Sequence, residues 1–236
     1  MDNGWDQSAA AWIATIGDRG DWGRENILDP AMLERIDSRP FGSTLDVGCG
    51  EGRFCRLLKA RGIPTVGVDP CAPLIDAAIR RDPSGGYCRA GAEQLPFDDD
   101  SFDLVVSYMT LCDIPDFRAA IGEITRVLAP GGTFLIANLT SMSTADSGGG
   151  WIKDDDGQLM HWPVDRYLDE FSMRSEWLGI SIVNWHRPLS AYMSALLGAG
   201  LRLVFFDEPQ PRGGEPERQE RYRRMPWFVL MEWRGP

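Results

Sequence analysis

Thr44-Leu45-Asp46-Val47-Gly48-Cys49-Gly50-Glu51-Gly52-Arg53-Phe54 is the stretch whose reading decides the fold. A β-type run reaches an acid, passes three alternating glycines and opens into a helical pattern carrying Arg56, Leu57, Leu58 and Lys59. Glycine lacks a Cβ, so such a turn reaches left-handed backbone and lets a ligand approach the main chain closely. A strand that feeds a glycine turn and then a helix N-terminus is a nucleotide seat.

Working outward, strands and helices alternate on both sides of this seat. The first strand is 44–47 and its helix 51–61; a short β-branched strand at 64–68 ends at Asp69-Pro70. A helix follows at 74–81, then strands at 86–90 and 102–107. Phe117, Ile121, Ile124 and Leu128 give helical spacing over 116–128, stopped by Pro130-Gly131-Gly132, with a fifth strand at 133–139. This alternation predicts parallel βαβ units with helices on both faces. The rhythm breaks at 140–187, from Ser147-Gly148-Gly149-Gly150 through Trp151, His161, Trp162, Tyr167, Trp177, Trp185 and His186. That is too long for a connection and too aromatic for a floppy linker, so it reads as a cap inserted over the strands' carboxyl ends. A helix at 188–199 and strands at 201–206 and 227–233 resume the pattern; two strands joined by a polar loop imply an antiparallel hairpin at the sheet edge. The expected architecture is one α/β domain over 1–236: a doubly wound, mostly parallel seven-stranded sheet, a C-terminal antiparallel hairpin, and the cap after strand five.

Residues 1–40 read as a helical segment. Trp5, Ala9, Trp12, Ile13 and Ile16 fall at three-to-four spacing before Gly17, and Asp29-Pro30 suits an N-cap followed by a first helical proline. Trp5, Trp12 and Trp22 make this segment either a flap over something apolar or an aromatic core anchor. They and the cap tryptophans equally suit a dimer contact.

A formal charge of -11 argues against a nucleic-acid partner, since that binding rests on neutralising phosphates with Lys and Arg. The late arginines Arg212, Arg218, Arg221, Arg223 and Arg224 interleave with Glu215, Glu217 and Glu220 and read as a solvated, salt-bridged segment. Cys49, Cys55, Cys71, Cys88 and Cys112 are odd in number and form no C-x-x-C pair. That is the pattern of reduced thiols in a cytoplasmic protein, not of a disulfide frame or zinc site. No apolar run approaches membrane-spanning length and no signal segment opens the chain. The default ligand is a small molecule, with no metal: Asp98 to Asp100 and Asp154 to Asp156 read as solvated turns.

The glycine turn admits few nucleotides. A phosphate-binding P-loop needs Lys and Ser/Thr after its last glycine, and Arg53-Phe54 stand there. A dinucleotide fingerprint needs glycine at 53, and the third glycine comes one residue early, at Gly52. Asp69, about twenty residues on, fits a ribose contact. Together with Val66-Gly67-Val68-Asp69, Gly91-Ala92-Glu93-Gln94-Leu95-Pro96-Phe97 and Arg126-Val127-Leu128-Ala129-Pro130-Gly131-Gly132, the chain resembles a class I S-adenosylmethionine-dependent methyltransferase of the small-molecule, ubiquinone-biosynthesis-like group. The likeness runs from about Leu45 to Leu139. Trp185-His186-Arg187-Pro188-Leu189-Ser190 is also familiar from that group.

The resemblance implies S-adenosyl-L-methionine as cofactor and S-adenosyl-L-homocysteine as product. It places Asp46, Gly48, Cys49 and Gly50 beside the methionine and ribose, and Asp69 with Pro70 on the ribose hydroxyls. Ala92 and Glu93 fall beside the adenine, and Ser107 and Tyr108 border the methyl. Two departures stand out: Gly91 occupies the place of an adenine-contacting Asp, and Met109-Thr110-Leu111-Cys112-Asp113 lacks the family's histidine. In-line methyl transfer needs a held nucleophile and, for an OH or NH acceptor, a base. His161, His186 and Asp113 are the alternatives; before Pro188 a structural hydrogen-bonding role suits His186 better than that of a base, while His161 suits either. The expected function is methyl transfer to a small, apolar or aromatic acceptor walled by Trp151, Trp162, Trp177 and Trp185. A cofactor-binding module without transfer and a nicotinamide-dependent oxidoreductase are the alternatives, the latter opposed by Arg53.

Overall fold

Strand β1 (Thr44–Val47) is buried along its whole length, which requires a sheet covered on both faces. In the computed structural model, which describes residues 3–145 and 150–236, that sheet is present; the Ser147-Gly148-Gly149 run lies outside the described residues. β1 pairs in parallel with β2 (Thr65–Asp69) on one side and β4 (Phe102–Tyr108) on the other. β3 (Gly86–Arg89) extends the sheet beyond β2, and β5 (Leu128–Leu139) beyond β4, all parallel. β11 (Phe228–Arg234) lies antiparallel between β5 and the edge strand β10 (Arg202–Asp207), giving the order β10-β11-β5-β4-β1-β2-β3. This is the expected seven-stranded, mostly parallel sheet with its antiparallel C-terminal pair.

Alternate residues of each strand feed two cores. On one face Leu45, Val47, Val105 and Ile136 pack against Phe117, Ile121 and Ile124 of α5 (Phe117–Val127) and Leu196 of α7 (Leu189–Gly198). On the other, Leu104, Val106 and Leu135 pack against Met32 and Ile36 of α2 (Asp29–Asp37) and Phe54 and Leu58 of α3 (Arg53–Lys59). Each fully buried aliphatic or aromatic side chain contributes about 2 kcal/mol of transfer free energy. α4 (Ala72–Arg81) completes the crossover from β2 to β3, and α1 (Trp5–Ile16) packs on it through a small separate cluster of Ala9, Cys71, Leu74, Trp5, Trp12 and Ile13.

Several local readings shift. Asp116, not a helical residue, caps α5, its carboxylate accepting from Ala119 N at 3.0 Å. β5 starts earlier than expected: Leu128 pairs with Phe102 and Thr133 with Leu104, so Pro130-Gly131-Gly132 is looped out inside the strand's span. Asp29 caps nothing, because the π-helical turn Arg24–Leu28 runs directly into α2 and leaves its carboxylate for a tertiary contact. The polar segment before β11 contains a short helix, α8 (Pro216–Arg223). Its arginines are not paired with the neighbouring glutamates: Arg212 pairs with Glu34 at 2.6 Å, and Arg224 donates to the carbonyls of Leu159 and Met160. No helix among the described residues is long and apolar enough to cross a membrane.

The 140–187 insertion forms α6 (Ser141–Thr144) and two hairpins, β6 (Ile152–Lys153) with β7 (Leu159–His161) and β8 (Phe171–Trp177) with β9 (Ile180–His186). β9 lies against α1: Val183 N donates to Asn3 O, and the Ser8 hydroxyl donates to Ser181 O.

Beside the edge strand, Glu232 of β11 is 1% exposed and receives Arg35 of α2 at 2.7 Å and Arg39, just beyond α2, at 2.9 Å, tying that helix to the sheet. Both arginines are partly solvated, so loss of the acid leaves no stranded charge and costs less than breaking a fully buried pair. Glu232→Ala is expected to destabilise the fold by about 2 kcal/mol in denaturant titration, the range of hydrogen bonds to charged groups.

Candidate functional site

The crossovers from β1 and β4 leave in opposite directions, to β2 and to β5, so a crevice opens outside their carboxyl ends. The chain leaves β1 through the glycine turn. Gly48 sits at φ +75°, and a Cβ there would lie 2.1 Å from Thr110 Cγ2 in the loop after β4. Asp69, the last residue of β2, fixes this turn: its Oδ2 accepts from Gly50 N at 3.0 Å and its Oδ1 from Cys71 N at 2.8 Å. Asp46 is buried beneath, accepting from Cys55 Sγ at 3.3 Å through Oδ2, while Oδ1 has no partner among the described residues. Arg53 opens α3 and turns back to α2, its terminal nitrogens on Asp29 at 2.8 and 2.7 Å; the Tyr108 hydroxyl donates to the same Asp29 at 2.7 Å. That pairing accounts for arginine where a dinucleotide fingerprint has glycine.

These elements enclose a cavity of about 360 Å³. Asp46, Gly48, Cys49, Gly50, Asp69, Pro70, Ala92, Glu93 and Tyr108 line it, as do Asp113 and the backbone at Gly91. Ser107 does not: it is fully buried on the opposite face of β4, its hydroxyl unpartnered. The roof is α1. Trp5 and Trp12 meet edge to face at 5.4 Å, Trp12 Nε1 donates to Glu51 Oε2 at 3.3 Å, and Trp5 Nε1 donates to Asp113 Oδ2 at 3.2 Å. Trp5 and Trp12 of the N-terminal segment therefore line the cavity, whereas Trp22 stacks on Tyr222 at 4.9 Å. The expected wall of cap tryptophans is absent from this cavity: Trp151 and Trp162 pack towards Trp227, and Trp177 is exposed. The cap touches the site only from behind, where Asn184 Nδ2 donates to Asp113 Oδ1 and Trp185 N donates to Cys112 O.

The three candidate bases separate. His161 is exposed on β7, outside the cavity. His186 is fully buried, with Nε2 3.0 Å from Tyr167 O and Nδ1 2.8 Å from Thr144 Oγ1. A carbonyl only accepts, so Nε2 carries the hydrogen and the Thr144 hydroxyl donates to Nδ1. Burial lowers its pKa, and its role is structural. Asp113 alone lines the cavity, with donors from Cys112, Trp5 and Asn184.

Burial pushes the Asp113 carboxyl up to about 7, against those donors. It pushes Asp46 to about 7 against the Cys55 thiol, and Asp69 to about 6 against the Cys71 and Gly50 amides. Among the described residues Asp46, Asp69 and Asp113 thus line the cavity with no cation paired to them, while Glu51 pairs with Arg81 at 3.2 Å and Arg56 at 3.5 Å; the three unpaired acids favour a positively charged occupant. Sequence reading missed Glu51, visible in the glycine turn, and Arg24 and Thr110, which carry no motif signal and reach the cavity only through the fold.

Residues 45–136 match the model of a methyltransferase domain. The chain is 33% identical over 208 residues to a malonyl-[acyl-carrier protein] O-methyltransferase of Salmonella typhimurium, covering 79% of this chain and 82% of that one. A Serratia marcescens protein of the same description is 32% identical over 124 residues, about half of each chain (52% and 49%). The structure of an S-adenosylmethionine-dependent methyltransferase from Mesorhizobium loti superposes with a TM-score of 0.79 at 27% identity, covering 92% of this chain and 100% of that one. Glycine turn, the acid that ends β2, sheet order and relatives agree, and the chain belongs to the class I S-adenosylmethionine-dependent methyltransferases.

Proposed function

We propose that the chain methylates a small-molecule acceptor and that Asp69, Asp46 and the 48–50 turn hold the cofactor. The observation that carries the reading is Asp69: a buried carboxylate at the cavity wall, held by two backbone amides that also set the glycine turn. The residues fit S-adenosylmethionine on two further counts. Asp46 Oδ1 is buried without a partner, and the acids of the cavity complement a ligand carrying a sulfonium and an ammonium. Pro70 would follow Asp69 along the ribose, and Ala92 and Glu93 would flank the base, Gly91 having no side chain to offer. Cys49 and Tyr108 border the same ligand; Ser107 has no place in the binding set.

When bound, the cofactor supplies a methyl group on a good leaving group. The protein's part is enclosure and proton management. Trp5 and Trp12 exclude water. Asp113 is the base for an OH or NH acceptor, its pKa near neutrality matching the task and its Oδ1 and Oδ2 fixed by Asn184 and Trp5. The Salmonella relative is described as an O-methyltransferase of a malonyl group on a carrier protein. That name supports oxygen as the acceptor atom here. A charge of -11 disfavours nucleic acid as the acceptor.

Asp69→Ala is expected to weaken S-adenosylhomocysteine binding at least about tenfold by calorimetry, the loss of charged hydrogen bonds; unchanged affinity would sink the assignment. For the acceptor, label transferred from methyl-labelled cofactor into a cell extract is expected in the low-molecular-mass fraction, free or after thioester cleavage, and label confined to macromolecules even after that cleavage overturns the small-molecule reading.

The raised acids also set a pH dependence. A carboxyl whose folded pKa exceeds its unfolded value stabilises the fold below the unfolded pKa, and that contribution disappears as pH rises through the folded one. For Asp46 the window runs from about 4 to about 7. Asp46→Asn is therefore expected to raise the melting temperature of the ligand-free protein at pH 8 and to change it little at pH 4, measured by calorimetric scanning.

A further inference from the structure

The basic side chains that line the cavity are Arg24 and Arg53, and both sit beside the Tyr108 ring, at 5.7 and 5.9 Å. Tyr108 ends β4, three strands across from the loop after β3 that carries Glu93, so positive charge is confined to one end of an otherwise acidic chamber. Arg53 is consumed by its two-pronged contact with Asp29. Arg24 is not. Its Nη1 pairs with Asp21, whose carboxylate is half exposed and so screened by water. Its Nε and Nη2 have no acceptor among the described residues.

Arg24 is also built for the task. It opens the π-helical turn Arg24–Leu28, a feature that recurs at functional sites. Its guanidinium lies over the faces of Trp12, at 5.0 Å, and Tyr108, which hold its plane without using its donors. A planar fork with an open edge facing a cavity matches a carboxylate. The family's cofactor carries one such group, on its amino-acid part, and the acids elsewhere in the chamber would repel it.

We propose that Arg24 receives the cofactor's carboxylate and thereby fastens the α1 roof; this rests on the cofactor assignment above. The coupling runs through Trp12. The ring that stacks on Arg24 also donates to Glu51 and belongs to α1, which packs on α4 through the small cluster with Leu74 and Cys71. A ligand that fixes Arg24 therefore fixes Trp12. One that fills the adenosine site without a carboxylate leaves α1 free to open.

The test compares S-adenosylhomocysteine with 5′-methylthioadenosine, which keeps the adenosine and thioether and lacks the amino acid. In calorimetry Arg24→Gln is expected to weaken the first by about tenfold or more and the second by less than about twofold. Arg24→Lys, retaining charge without the fork, should fall between. In the wild-type chain, hydrogen exchange of the Trp5–Ile16 amides should slow more with S-adenosylhomocysteine than with methylthioadenosine. Equal weakening of both ligands by Arg24→Gln, or equal protection of α1 by both, overturns the proposal. A wild-type chain that binds neither ligand removes the cofactor assignment itself, and the proposal with it.

Discussion

The carboxylate of Asp69 is the constraint on which the site depends. It ends β2, yet it accepts hydrogen bonds from Gly50, in the turn after β1, and from Cys71, at the start of α4. One side chain thus joins two neighbouring βα units at their carboxyl ends. The geometry exists because β1 and β2 are parallel and in register, with Asp46 opposite Gly67 and Val47 opposite Val68. Gly67 is part of the arrangement: a Cβ there would lie 2.7 Å from Cys49 Sγ, so the absence of a side chain on β2 lets the glycine turn settle against it.

Around that anchor the protein builds an enclosure from elements distant in sequence. α1 roofs the chamber, the loop after β4 supplies Asp113, and the cap braces both from outside. Asp113 is where the three meet, receiving Trp5 from the roof and Asn184 from β9. Arg187 reinforces the same loop, donating to the carbonyls of Leu111, Ile114 and Pro115 from a fully buried position. Close approach at Gly4, where a Cβ would meet Ser181 O at 2.2 Å, joins roof and cap into one layer. Roof and cap are thereby in direct contact, while none of Trp151, Trp162, Trp177 and Trp185 lines the cavity.

Much of this was legible in the residues. Alternating apolar runs, Pro130-Gly131-Gly132 and the early third glycine specified a parallel sheet and a non-dinucleotide turn, because period-2 burial and positive-φ glycines are local requirements. Asp69, at the cavity wall, followed from its spacing after the turn. Errors occurred where a local rule was overridden by tertiary contact. Asp29 carried an N-cap signature yet serves Arg53 and Tyr108. His161, which suited a base by type, is exposed on β7 away from the cavity, whereas His186 takes the structural role its place before Pro188 suggested, between Thr144 and Tyr167. Ser107 and Tyr108 are adjacent in sequence, but strand alternation sends them to opposite faces.

The sequence by itself determined the fold class, the methyl donor and the acids that line the cavity, since each is written in short-range pattern and spacing. Only the tertiary structure decided what closes the chamber and which base candidate reaches it. The aromatic cap had the composition of a wall, but α1 took that place, because Trp5 and Trp12 found carboxylates at Asp113 and Glu51 that only the folded sheet brings within reach. The turn at Gly48 names the cofactor; the packing of a distant helix upon it makes the chamber.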